Sequence, residues 1–212
     1  MIRIPRICCL TYVVMLLLAT GCQPSGTSFV ASDPPRAQES TPVGAHDDSE
    51  PPAGQVSVEI KSWDEVQHLV TSLRGQVVVV DVWTTWCVPC IRKFPDFVKL
   101  HESYPEGVTC ISVAANYIGL ADEPPESFRE EVLEFLRNQN AMFPNVISST
   151  PDDELYAAIG ASAVPIVLVY GPDGELKQTF SNDDGQYGEE GFNYADHIVP
   201  LVERLLGAEA DS

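Results

Sequence analysis

Val77-Val78-Val79-Val80-Asp81-Val82-Trp83 is an apolar, β-branched run broken by one carboxylate, and Cys87-Val88-Pro89-Cys90 follows it after three residues. A run of that composition reads as a strand buried in a core. Pro89 suits the first turn of a helix, where its missing N–H leaves nothing unsatisfied. The chain must therefore pass from a central strand straight into a helix, with two cysteines at the junction. Cys87 stands where free backbone N–H groups and the positive end of the helix dipole favour an anion, and the thiolate is the reactive form of cysteine. Two cysteines two residues apart can close a small disulfide ring and reopen it, which makes the junction a candidate redox centre.

At 212 residues the chain has room for about one domain with extensions. Its 44% hydrophobic and 20% charged residues fit an ordinary globular protein. A formal net charge of −19 argues against a nucleic-acid backbone as partner, which calls for clustered Lys and Arg, and suits a soluble, self-repelling surface. At the start, Arg3 and Arg6 precede an apolar stretch from Ile7 to Ala19 that is short for a membrane span. Ala19, Thr20 and Gly21 then lead to Cys22, which resembles a bacterial lipoprotein signal, although Leu is usual where Ala19 stands. On that reading residues 1–21 are removed and Cys22 is acylated; an ordinary signal peptide cut nearby and an uncleaved anchor are the alternatives. Cleavage would take Cys8 and Cys9 with it and leave Cys22, Cys87, Cys90 and Cys110. That is one CxxC pair and one lone thiol beyond the lipidated residue, too few for a structural disulfide framework.

Residues 22–55 are rich in Pro, Ser, Gly, Asp and Glu and read as a disordered tether, with His46 a solvated linker residue. The folded domain is expected over residues 56–207, with a flexible tail at 208–212. Val56 to Ile60 alternates like an edge strand, and Ser62 with Glu65 matches a capping box ahead of the helical spacing of Trp63, Val66, Leu69, Val70 and Leu73. Val77 to Trp83 and Val108 to Ala114 read as strands, with a helix from Cys87 to about Tyr104 between them that carries Pro95. A helix through Phe128, Val132, Phe135 and Leu136, a strand over Pro144 to Ile147 and a helix over Asp152 to Ile159 follow. Ile166 to Tyr170, the turn Gly171-Pro172-Asp173-Gly174 and Leu176 to Phe180 form a hairpin, and His197 to Leu206 a closing helix. Strands alternating with helices and ending in a hairpin imply a three-layer α/β/α domain with a mixed central sheet.

The stretch Asp81-Val82-Trp83-Thr84-Thr85-Trp86-Cys87-Val88-Pro89-Cys90 resembles the thioredoxin active-site signature. The wider pattern resembles the TlpA/ResA branch of membrane-tethered bacterial thioredoxins, over about Val56 to Leu206. Asn116 to Ser148 matches that branch's extra helix-and-strand insertion, and Val164-Pro165-Ile166 with Pro172-Asp173-Gly174 matches its proline strand and hairpin. The resemblance implies a thioredoxin-like fold and a thiol–disulfide oxidoreductase. Cys87 would attack a partner disulfide, Cys90 would resolve the mixed disulfide, and Asp81 would lie beneath them and relay a proton. It also implies a cis bond at Pro165, and substrate contact by Trp86, Val88, Pro89, Val164 and Pro165. Trp83 is expected in the core, and Cys110 as an inert buried thiol. Many members of the branch carry Cys-Lys-Lys-Glu-Phe-Pro where this chain has Cys90-Ile91-Arg92-Lys93-Phe94-Pro95, so the proton work falls to Asp81 alone.

A zinc site would need two further ligands, and Cys110, His68, His101 and His197 form no metal-like motif, so neither metal nor cofactor beyond the Cys87–Cys90 disulfide is expected. Val88-Pro89 offers no positive charge to hold the Cys87 thiolate, which points to a reductant rather than an oxidant. Reduction outside the cytoplasm needs electrons carried across the membrane. A membrane-embedded thiol–disulfide relay is therefore the implied partner, disulfides of exported proteins the implied substrates, and the family suggests apocytochromes c among them. The expected location is the bacterial cell envelope, with the domain lipid-anchored on the periplasmic or extracytoplasmic side. Two rival readings stand beside this one. A peroxiredoxin-like peroxidase is the nearer, because Thr84 lies three residues before Cys87, but Val80 occupies the place of that motif's proline. A non-catalytic binding module is the other, with the acidic stretch Asn182 to Glu190 as a docking face or weak cation site; a solvated loop is the simpler reading of that stretch.

Overall fold

The computed structural model describes residues 54–210, with side chains up to Gly207. The signal expected over 1–21, Cys22 and nearly all of the tether lie outside the described residues. The elements are β1 (Glu59–Lys61), α1 (Trp63–Ser72), β2 (Val77–Trp83), α2 (Val88–Ser103) and β3 (Val108–Ala114). A 3-10 turn (Pro125–Phe128), α3 (Arg129–Asn138), β4 (Asn145–Ser148), α4 (Asp152–Ile159), β5 (Ile166–Tyr170) and β6 (Leu176–Phe180) follow. A π-helical turn (Tyr194–Ile198) then runs into α5 (Val199–Ala210).

The four valines that open β2 favour extended backbone, because two groups on Cβ restrict their rotamers in a helix. All seven residues of this strand are buried. It lies at the centre of a six-stranded sheet ordered β1-β4-β3-β2-β5-β6, parallel to β3 on one side and antiparallel to β5 on the other. Alternate β2 residues serve two cores. Val78, Val80 and Val82 pack with Val66 and Val70 of α1 and Leu155 of α4, while Val77, Val79 and Trp83 pack with α2, α3 and α5. The architecture is thus the expected three-layer α/β/α domain with a mixed sheet.

Local chemistry fixes the joints. Ser62 Oγ accepts from the Glu65 N–H at 3.3 Å and Glu65 Oε2 accepts from the Ser62 N–H at 2.8 Å, the reciprocal cap expected for α1. At the β5–β6 turn Gly174 takes a φ of +77°, where its N–H reaches the Gly171 carbonyl at 2.8 Å and a Cβ would be strained.

Four elements differ from expectation. β1 starts at Glu59 rather than Val56, because its one partner, β4, pairs only Val146 to Ser148 with it. β4 starts after Pro144, which has no N–H for the ladder and offers its carbonyl to the Ser112 N–H at 2.9 Å instead. The segment after Pro124-Pro125 begins as a 3-10 turn before α3. The last helix is entered through the π-helical turn, whose cap Asn193 accepts the Asp196 N–H on Oδ1 at 2.8 Å, and it runs on to Ala210.

An aromatic cluster fastens α2 to the sheet. Phe94 is fully buried, with ring centroids of Trp83, Phe135 and Phe97 at 5.2, 4.9 and 5.7 Å. Phe94→Ala should lower the free energy of unfolding by about 3–5 kcal/mol in urea titration. A loss under about 1 kcal/mol would show that the site around it collapses readily and that this cluster does not anchor α2.

Candidate redox site

β2 releases the chain at Trp83. Its carbonyl accepts from the Ala115 N–H at 2.7 Å, and its indole N–H donates to Ser112 Oγ at 2.8 Å. The next turn closes through the Cys87 N–H on the Thr84 carbonyl at 3.2 Å. It is braced from the end of β3, where the buried Asn116 donates through Nδ2 to Thr85 Oγ1 at 2.7 Å. Cys87 caps α2, and Pro89 sits in the first turn as the sequence requires.

Cys87 and Cys90 are disulfide-bonded, and the Cys90 N–H points at Cys87 Sγ from 3.2 Å. Cys87 is 8% exposed and Cys90 3%, so the first cysteine is the more accessible. Beside them Trp86 and Val88 are 57% and 66% exposed, large apolar side chains left in water, while Pro89 is half-buried. The Trp86 ring meets Phe128 of the 3-10 turn at 6.4 Å between centroids. The Val164–Pro165 bond is cis. Ile166 pairs with Val82, which sets the buried Pro165 and half-buried Val164 at the end of the sheet where β2 hands over to the cysteine turn.

Asp81 is 4% exposed and lies on the same side of β2 as Val79 and Trp83. Its Oδ2 accepts a hydrogen bond from the Tyr194 hydroxyl, and its Oδ1 has no partner among the described residues. Burial pushes this carboxyl up to about 7, while the Tyr194 hydroxyl and the Lys93 ammonium pull the other way by favouring the charged form. A carboxyl poised there can trade a proton near neutral pH. Cys110 is free and fully buried, and burial, with the Asp81 charge added, holds its thiol far above the ordinary cysteine range.

Lys93 takes a part that its place in the sequence does not reveal. Its Nζ donates to the carbonyls of Glu190 at 3.0 Å and Phe192 at 2.5 Å and rests 5.1 Å over the Phe192 ring. The acidic stretch expected as a solvated loop does expose its carboxylates, yet it is fastened at both ends. Asp183 Oδ2 accepts the Ser162 N–H at 2.9 Å, and Asn182 Oδ1 accepts the Phe192 N–H at 3.2 Å. Tyr194 is a second residue that sequence reasoning misses. Phe192 and Tyr194 bracket Asn193 in an apolar–polar–apolar pattern that signals burial, but nothing local names a partner 113 residues away. Cys22 lies outside the described residues. Among those residues no group of three or more His, Cys, Asp or Glu could hold a metal, and no helix is long and apolar enough to cross a membrane.

The sequence model of the Redoxin family matches residues 56–195. Sporulation thiol-disulfide oxidoreductase A of Bacillus subtilis is 26% identical over 106 residues, covering 50% of this chain and 59% of that protein. Thiol-disulfide oxidoreductase ResA of Geobacillus thermodenitrificans is 28% identical over 113 residues, covering 53% of this chain and 58% of that protein. The matched part is thus less than two thirds of either relative's length. A solved thioredoxin-like superfamily protein, 20% identical, superposes with a TM-score of 0.50 over 64% of this chain and 83% of its own, a likeness of fold alone. The fold is thioredoxin-like, as the signature implied.

The raised Asp81 carboxyl has a consequence for stability. In the folded chain it keeps its proton up to about pH 7, against 3.8 ordinarily, so between those values the native state holds more protons and stability falls as pH rises. Asp81→Asn removes the ionisation. In the oxidised protein it should gain on the order of 3 kcal/mol over the parent at pH 8 and far less at pH 4, read from urea unfolding at both. Equal changes at the two pH values would refute a buried, titrating Asp81.

Proposed function

This chain belongs to the Redoxin family, and we propose that it is a thiol–disulfide oxidoreductase that reduces disulfides of exported proteins, apocytochromes c among them. The observation that carries this reading is the closed Cys87–Cys90 ring at the start of α2, fed by a strand that buries a proton-trading carboxyl. Two relatives that bear the name thiol-disulfide oxidoreductase support it.

In the reduced protein the Cys87 thiolate is favoured by the unpaired N–H groups of the first turn of α2. It attacks one sulfur of the substrate disulfide, forming a mixed disulfide and expelling the other sulfur as a thiolate, which takes a proton. Cys90 gives its proton to the Asp81 carboxylate and attacks Cys87 Sγ, which closes the ring and expels the second substrate sulfur as a thiolate that takes a proton in its turn. The substrate gains two electrons and two protons, and the pair is left oxidised. Trp86 and Val88, exposed, form with Pro89, Val164 and Pro165 the surface on which the substrate lies.

Direction follows from the dipeptide within the ring. Strong oxidants stabilise their reduced form, and Val88-Pro89 brings no cation to do so. A reductant outside the cytoplasm is recharged by a membrane-embedded thiol–disulfide relay. The sequence supports a lipoprotein signal over residues 1–21, an acylated Cys22, a tether over 22–55, the redox domain over 56–207 and a short tail at 208–212. On this reading the domain works in the bacterial cell envelope, lipid-anchored on the periplasmic or extracytoplasmic side.

Equilibration of the Cys87–Cys90 pair with dithiothreitol or glutathione should give a midpoint potential near about −270 mV, as for thioredoxin. A value near about −120 mV would make the protein an oxidant and overturn the reductant reading. Cys90→Ser should accumulate a covalent adduct with a disulfide-bonded substrate through Cys87, visible on a non-reducing gel and cleared by reductant. Cys87→Ser should form none.

A further inference from the structure

The hydroxyl of Tyr194 and the carboxyl of Asp81 meet in the core from distant parts of the chain, one on the turn that opens α5 and the other on β2. Tyr194 is 2% exposed, and its ring packs on Phe97 of α2 at 5.8 Å. A phenylalanine would fill that place equally well, so packing alone does not account for the hydroxyl. Asp81 is left asymmetric, with one oxygen held and the other buried and without a partner among the described residues. The turn is also pinned beside the cysteine helix, since Lys93, three residues after Cys90, grips the Glu190 and Phe192 carbonyls just ahead of it.

We propose that Tyr194 is a positioning residue for Asp81: its hydroxyl fixes one carboxylate oxygen, so that the proton exchanged with the cysteine pair is carried on the other. The proton's destination rests on the oxidoreductase reading; the pairing itself does not. Among the described residues the groups that face this pair are few. Lys93 of α2 favours the ionised Asp81, Asp96 of α2 acts on Tyr194, and Cys110 of β3 lies near both. β5 sets Val167 opposite Asp81, His197 of the turn packs on Tyr187 at 4.7 Å, and Cys87 and Cys90 do not titrate while bonded. Tyr194 itself keeps its proton, because burial and the Asp81 charge push it well above the ordinary tyrosine range.

The test is carboxyl-carbon NMR titration of Asp81 in the oxidised full chain. Loss of a donor to the ionised form makes ionisation harder, so Tyr194→Phe should move the Asp81 midpoint upward by about one pH unit or more. An unchanged midpoint overturns the pairing. In the unaltered protein the Tyr194 hydroxyl proton should shift with the same midpoint as the Asp81 carbon, and a hydroxyl signal flat through that range overturns it too. The pH–rate profile for reduction of a disulfide-bonded peptide should move with the carboxyl midpoint; a fixed profile beside a moved midpoint overturns the relay. A parent chain that reduces no disulfide, yet shows the midpoint shift, would remove the oxidoreductase reading and uphold the pairing.

Discussion

A carboxyl group that meets one hydrogen-bond donor among the described residues, buried within the central strand, is the constraint to which the rest of this domain is fitted. An ionised carboxylate in an apolar site is costly unless partners meet it. The other six residues of β2 are apolar and could be replaced by similar ones without changing the strand's character. Asp81 could not. Its partner arrives 113 residues later, so the C-terminal segment must close over the sheet before the site is complete. The excursion from Ser181 to Asn193 is fastened along its length for the same reason, by Asp183 to Ser162, by Asn182 to Phe192 and by Lys93 to the carbonyls before the turn.

The site is polarised between its surface and its interior. Trp86 and Val88 present apolar side chains to water around the ring, a place where another polypeptide can bury them. Cys90, Asp81, Tyr194 and Cys110 are by contrast buried. Exposed apolar side chains and a buried carboxyl thus flank the same strand-to-helix junction.

What can be read from sequence depends on how local the cause is. Val77 to Trp83 announces itself because seven residues carry the whole signal, and Pro172-Asp173-Gly174 because a turn is decided by its own residues. The cap at Ser62 and Glu65 is equally self-contained. Alternation extends β1 back to Val56 because it reports what a strand could bury, while the strand's length is set by how much of β4 is free to pair. Lys93 reads in sequence only as the loss of a glutamate, since its use as a fastener depends on carbonyls from the far end of the chain. Tyr194 is the clearest case. Its burial is written nearby, but its purpose lies on another strand.

Cys110 gives the arrangement its durability. A dithiol that opens and closes repeatedly beside a third sulfur risks scrambling, in which the wrong pair is joined and the protein is lost until something reshuffles it. Cys110 sits on β3 opposite Val79, within the same core as the pair and yet fully buried. Exchange requires a thiolate with access to the bond. Cys110 has neither, held protonated by the dry core and the neighbouring carboxyl. Of the cysteine sulfurs in the described residues, Cys87 and Cys90 are the pair that is bonded, and Cys110 is kept out of exchange by its burial.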